Sequence, residues 1–92
     1  MANAAFDAHV FGRVQGVAFR YSAQDEAQGL GITGWVRNAD DGSVELHAEG
    51  EDVALRKFLD WLKHGPPYAH VKKLNCINVE PSNTYKSFRI VY

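Results

Sequence analysis

Two stretches of helical periodicity set among stretches of period-two alternation, in the order β-α-β-β-α-β with one more strand at the end, together with a length of 92 residues that supports a single core, predict an α+β fold. The arrangement that suits this order is the ferredoxin-like split β-α-β sandwich. In it an antiparallel sheet of four to five strands carries two helices on one face, and both crossovers are right-handed. Residues 1–92 read as one domain, because no linker, internal repeat or low-complexity tract interrupts them.

The first strand comes from Phe6, Ala8 and Val10 alternating with Asp7, His9 and Phe11, and it ends near Gly12. A helix from Arg20 to about Leu30 follows, since Ala23, Ala27 and Leu30 recur at i, i+4 and i+7, with Gly29 and Gly31 where helices stop. Ile32 to Val36 forms the second strand, and Val44, Leu46 and Ala48 alternating with Glu45, His47 and Glu49 form the third. Between them Asn38-Ala39-Asp40-Asp41-Gly42 has hairpin chemistry, with Gly42 free to take a positive φ, so the two strands pair antiparallel. The second helix is written by Leu55, Phe58, Leu59 and Leu62 on one stripe and Arg56, Lys57, Asp60 and Lys63 on the other. Gly65-Pro66-Pro67 ends it, because proline has no N–H to continue the ladder. Val71, Leu74, Ile77 and Val79 mark a long, irregular fourth strand, Pro81-Ser82-Asn83 turns the chain, and Phe88, Ile90 and Tyr92 alternate in a closing strand. This fold hosts enzymes, RNA binders and small-ligand sensors alike, so function has to be sought in particular residues.

Composition narrows the choice. Lys and Arg number 10 against 11 Asp and Glu, a formal net charge of -1, so no global basic field draws the chain to nucleic acid. An open sheet that holds RNA wants exposed aromatics and a basic surface, which the Glu45 and Glu49 face opposes. The first residues lack the apolar run of a signal peptide, and no stretch is apolar for the roughly eighteen residues a membrane span requires. A cytoplasmic protein with no membrane partner is expected. Cys76 has no second cysteine to pair with and, between Leu74 and Ile77, reads as a small packing residue. His9, His47, His64 and His70 show no H-E-x-x-H or similar spacing, so they read as surface or strand-face residues and no metal site is expected. Ser22 has no G-x-S-x-G elbow around it and suits helix capping or solvent, while Trp35 and Trp61 fill or edge the core.

The functional signal lies in Gly12-Arg13-Val14-Gln15-Gly16-Val17-Ala18-Phe19-Arg20. Two glycines four apart adopt backbone conformations that residues with a Cβ resist, so consecutive N–H groups can turn into one concavity. The free N–H groups of the first helical turn point at the same spot. Arg20 adds a planar, permanently charged fork that pairs with two phosphate oxygens at once. The plainer alternative is a tight turn with Arg20 solvated. Only three residues separate Gly12 from Gly16 and no Lys-Ser or Lys-Thr follows, which sets a nucleotide P-loop, and ATP, aside. Chemistry at a bound phosphoryl group also needs something to hold the attacker. Asn38, closing the second strand, is the candidate, because a carboxamide accepts a hydrogen bond from water while donating another. The competing reading of Asn38 is a turn residue satisfying its own backbone, which is ordinary composition before Asp-Gly.

That loop, followed by Gly34-Trp35-Val36-Arg37-Asn38-Ala39-Asp40-Asp41-Gly42-Ser43-Val44 and by Gly50, resembles the paired signatures of the acylphosphatase family, in their order and at their separation. The closing Phe88-Arg89-Ile90-Val91-Tyr92 is similar to the family's usual end, so the resemblance covers essentially the whole chain. It implies a small, metal-independent hydrolase, without cofactor and monomeric, that cleaves carboxyl-phosphate anhydrides such as acetyl phosphate and carbamoyl phosphate. By the same resemblance Arg20 is the phosphate-binding arginine, Asn38 orients the water, and Gln15, Gly16, Val17, Ala18, Phe19 and Arg20 supply the cradle of backbone amides. Inorganic phosphate is then product and competitive inhibitor. His70 stands where an arginine is more usual. The chemistry agrees with what these motifs lack: a carboxylate leaving group has a conjugate acid of pKa about 4 and departs unprotonated, so no general acid is needed. A loose phosphoryl-transfer transition state asks for positioning and positive partial charge, which a guanidinium and aligned amides supply in place of Mg²⁺. The alternative is a non-catalytic anion-sensing module on the same fold, from which only Asn38 distinguishes the enzyme. The acylphosphatase-like domain of a larger carbamoyl-transfer maturation protein is less expected, since the chain starts and stops at the domain ends.

Overall fold

The computed structural model describes residues 2–92. Its elements are β1 (Ala4–Arg13), α1 (Phe19–Gly29), β2 (Thr33–Asn38), β3 (Val44–Gly50), α2 (Asp52–Leu62), β4 (His70–Val79) and β5 (Phe88–Ile90), and the five strands form one sheet in the order β4-β1-β3-β2-β5. β1 pairs antiparallel with β3, Phe6 opposite Ala48, and with β4, Ala8 opposite Cys76, while β2 pairs antiparallel with β3, Val36 opposite Leu46.

The edge strand β5 differs from the expected pattern, because it runs parallel to β2 with Val36 opposite Ile90 and makes the sheet mixed. The path of the chain dictates this direction. β4 ends opposite the start of β1, Val79 against Ala5, and the following residues cross that end of the sheet to reach the start of β2, where the Gly34 amide donates to the Ser87 carbonyl at 3.0 Å. A strand entered there can only run the way β2 runs. β5 stops at Ile90, so Tyr92 lies beyond the strand in which alternation placed it.

One face of the sheet buries Phe6, Ala8, Val10, Val36, Val44, Leu46, Ala48 and Phe88 against Ala23 and Ala27 of α1 and Leu55, Phe58 and Leu62 of α2. The period-two and period-3.6 stripes of the sequence therefore meet in one layer, with both helices on the same side. Phe58 lies at the centre, stacked on Phe6 at 6.3 Å and edge-on to Phe88 at 5.7 Å. Burying a side chain of this size contributes about 2–3 kcal/mol. Trp61 edges this core against Phe19 at 5.5 Å, whereas Trp35 sits on the opposite face beside His47. Cys76 does not pack as expected. The helices pack chiefly over β1, β3, β2 and β5; on the edge strand β4 Val71 and Leu74 reach the core but Cys76 does not, so the thiol is exposed, and the burial it retains raises its pKa.

The second departure is Glu49, which alternation puts on the open face. The segment after β4 closes over it, and the side chain is fully buried. Its carboxylate accepts from the His47 imidazole at 2.6 Å and from the Ser82 amide, the Ser82 hydroxyl and the Asn83 amide, each at 2.9 Å. Burial alone would push this carboxyl up, but the four donors outweigh it and hold the pKa at about 2. The other nitrogen of His47 meets Asp7, so both ring nitrogens face carboxylates and the imidazolium is the form that satisfies both.

Candidate active site

β1, β2 and β5 all end at one end of the sheet, and that is where the glycine loop and the hairpin meet. The loop begins at a break in pairing: the β1–β4 register shifts between Phe11 and Gly12, and β4 comes so close that a Cβ on Gly12 would stand 2.1 Å from the His70 carbonyl oxygen. Only glycine fits there. Gly16 is needed for a different reason, its φ of 74°, since a Cβ would touch nothing. Ala18, in the left-handed region at φ 62°, ψ 24°, caps α1 without any side-chain hydrogen bond, and its carbonyl accepts the first helical bond from the Ser22 amide at 3.0 Å.

The consequence is a set of unused donors. Among the described residues, the backbone hydrogen bonds of the turns and caps include none from the amides of Gln15, Gly16, Val17, Ala18, Phe19 and Arg20. The first turn of α1 carries no acidic side chain, so the positive end of the helix dipole is not neutralised. Phe19, fully buried against Trp61, seats this turn on the core. A concave run of amides at a helix start is suited to an anion with several oxygens.

Asn38 ends β2 opposite Val44. Its Oδ1 is buried and is the one buried side-chain polar atom without a hydrogen-bond partner among the described residues. The competing reading, in which Asn38 satisfies its own turn, is not what the structure shows, for Asp41 does that work. The Asp41 carboxylate accepts from the Ser43 amide and hydroxyl, and these bonds lower its pKa. The Ala39 amide donates to the Ser43 carbonyl at 2.8 Å, and Gly42 takes a φ of 90°.

Sequence reasoning valued Gln15 only for its amide and missed its side chain. Gln15 Nε2 donates to the Ala39 carbonyl at 2.8 Å and to the Ser43 carbonyl at 2.9 Å, so one side chain ties the loop to the hairpin that begins after Asn38. Arg20, the second residue of α1, is half-buried and has no carboxylate partner among the described residues. Its guanidinium carbon lies 5.1 Å from the ring centre of Tyr92, a contact across 72 positions of sequence that no local signal announces.

The remaining candidates stay apart from this end or carry no chemistry. Ser22 lies in the first turn of α1 without a capping side-chain bond. His9 stacks on Phe11 and approaches Glu45 on the open face, His47 is held by Asp7 and Glu49, and His64 and His70 are exposed. No group of three His, Cys, Asp or Glu side chains among the described residues is placed to hold a metal ion. A hollow of about 560 Å³ between Gly31, Glu51 and Tyr85 lies at the far end of the sheet. No helix among the described residues is long and apolar enough to cross a membrane.

Comparison with known proteins bears on the chain as a whole. A family model described as acylphosphatase matches residues 6–90. The chain is 45% identical over 82 residues to an acylphosphatase of Acaryochloris marina, covering 89% of this chain and 87% of the relative. It is 51% identical over 71 residues to an acylphosphatase of a Nocardioides species, covering 77% and 72%. Among solved structures it superimposes on the acylphosphatase of Bacillus subtilis with a TM-score of 0.93 at 40% identity, covering 97% of this chain and 99% of that one.

Proposed function

Because this chain belongs to the acylphosphatase family, with the acid-anhydride hydrolase activity that membership carries, we propose how its own residues divide the reaction. The amides of Gln15 to Arg20 and the Arg20 guanidinium grip the phosphoryl oxygens of a small acyl phosphate. Asn38 accepts a hydrogen bond from a water and holds it in line. The water oxygen bonds to phosphorus as the bond to the bridging oxygen breaks, the carboxylate leaves with that electron pair, and the proton released passes to solvent. No general acid takes part, since the leaving carboxylate is stable unprotonated. The amides and the guanidinium offset charge developing on the equatorial oxygens, and removing one such donor typically costs about 3–4 kcal/mol of barrier.

What supports this division of labour most directly is the orphaned Oδ1 of Asn38. An unpaired buried acceptor costs about 1–3 kcal/mol, and it is relieved when a ligand or water donates to it. On the same reading residues 1–92 act as a single cytoplasmic domain and as a monomer, and inorganic phosphate, the product, competes for the loop. A non-catalytic anion sensor is not favoured, given the activity the family carries.

The test is phosphate release from acetyl phosphate, a phosphomonoester and ATP, with and without EDTA, in the wild type and in Arg20→Lys. Acetyl phosphate alone is turned over, EDTA leaves the rate unchanged, and Arg20→Lys loses about 10²-fold or more because an ammonium lacks the two-pronged geometry. A rate abolished by EDTA, or a lysine variant as fast as the wild type, refutes the assignment.

A further inference from the structure

Parallel pairing of β5 with β2 has a consequence at the mouth of the loop. The ladder continues one residue past Ile90, where the Val91 amide donates to the Val36 carbonyl at 2.9 Å, and so the backbone is fixed immediately before Tyr92. Tyr92 is 93% exposed, yet its ring lies against the Arg20 guanidinium at 5.1 Å. A large, almost fully exposed aromatic ring beside the proposed phosphate fork is a surface that a bound group can cover.

We infer that Tyr92 is a specificity-determining residue whose ring forms a wall for the acyl group of the substrate, favouring acyl phosphates with aromatic or extended apolar acyl groups over acetyl phosphate. The inference rests on the use of Arg20 as the phosphate fork. The geometry is compatible with both partners at once. A guanidinium offers its face to a ring and its edge N–H groups to oxygens, and these directions are perpendicular, so the contact with Tyr92 leaves the fork free. A phosphoryl group on that fork sits about 4 Å from the guanidinium carbon, with donor–acceptor distances of about 2.8 Å. The acyl group begins two bonds beyond phosphorus, at a similar remove from Arg20 as the ring. Tyr21, 63% exposed, follows Arg20 in α1, but among the described residues Tyr92 carries the one ring that the Arg20 guanidinium lies over; Tyr68 follows α2, and Tyr85 borders the hollow at the far end of the sheet. An acetyl group covers little of such a ring, whereas a benzoyl group covers much of it.

The experiment compares kcat/KM for benzoyl phosphate and acetyl phosphate, and inhibition by inorganic phosphate, in the wild type, Tyr92→Ala, Tyr92→Phe and Arg20→Ala. Tyr92→Ala lowers kcat/KM for benzoyl phosphate about 5-fold, mainly through KM, while acetyl phosphate changes less than about 2-fold, and Tyr92→Phe keeps the wild-type preference because the ring and not the hydroxyl is used. Equal losses on both substrates, or no loss on either, overturn the wall. Arg20→Ala separates this result from the larger assignment: if it abolishes phosphate inhibition while Tyr92→Ala is unselective, only the wall fails, and if phosphate inhibition survives it, the fork and the wall fail together.

Discussion

At the Glu49 end of β3 a fully buried carboxylate accepts four hydrogen bonds from His47, Ser82 and Asn83, whereas at the far end of the adjoining strand the buried oxygen of Asn38 and the amides from Gln15 to Arg20 have no partner among the described residues. Both ends lie on one small sheet and use the same kinds of group. The chain thus pairs buried polar atoms completely where they hold the fold, and the atoms left unpaired at the loop are those that the proposed function gives to the substrate and its water. Satisfied groups secure stability, and unsatisfied ones cost it until a substrate arrives.

The contrast is broken most severely by two single substitutions read on two scales. Asn38→Ala lowers kcat by roughly 10²-fold with KM changed less than about 3-fold, and leaves the urea midpoint equal or slightly higher, since removing an orphaned acceptor removes its cost. Glu49→Gln does the reverse. It leaves three donors and an imidazolium facing a neutral amide, destabilises the fold by about 3 kcal/mol, and leaves kcat of the folded fraction unchanged. Steady-state assays alongside urea unfolding check both. If Asn38→Ala unfolds early, or Glu49→Gln loses turnover while folded, the two ends do not divide stability and function.

A smaller effect follows from protons. The pKa of Glu49 is depressed to about 2, so its contribution is complete above the ordinary carboxyl value and is lost as pH falls toward 2. Burial lowers the His47 pKa, but the bonds to Glu49 and Asp7 outweigh this and raise it above the ordinary imidazole value. Its contribution is therefore complete below the ordinary imidazole value and is lost as pH rises through the raised one. Stability is greatest between roughly pH 4.5 and 6.5, and Glu49→Gln flattens the acid limb of the profile, measured as urea midpoint against pH.

The same contrast explains what the sequence made legible. Hydrophobic stripes locate both helices and the strands through β3, because burial on one face repeats at the period of the element; Phe6, Ala8, Val10, Leu55, Phe58 and Leu62 all lie in the core. The loop was legible because its requirement is local: Gly16 and Gly12 answer to φ and to a close strand. What stayed hidden depends on long-range closure. The parallel direction of β5 and the burial of Glu49 follow from where residues 80–87 travel, and the exposure of Cys76 from how far the helices reach over the sheet, none of which periodicity records. Gln15 and Tyr92 act over 24 and 72 positions, respectively, and neither spacing leaves a pattern.

The mildest perturbation acts inside the loop itself. Ala18 holds a left-handed conformation that costs a residue with a Cβ about 1 kcal/mol, and it makes no capping bond in return. Ala18→Gly removes that strain, although the added freedom of the unfolded glycine offsets part of the gain, so the fold is stabilised by only about 0.5 kcal/mol. The same freedom loosens the turn that aims the amides of Val17, Ala18 and Phe19, and inorganic phosphate inhibits about 2-fold less strongly. Stability and binding then move in opposite directions from a single methyl group, as they do between Glu49 and Asn38. A glycine variant that is less stable and yet binds phosphate as before means that the alanine methyl is there for packing, and the strain at Ala18 then has nothing to do with holding the amides in place.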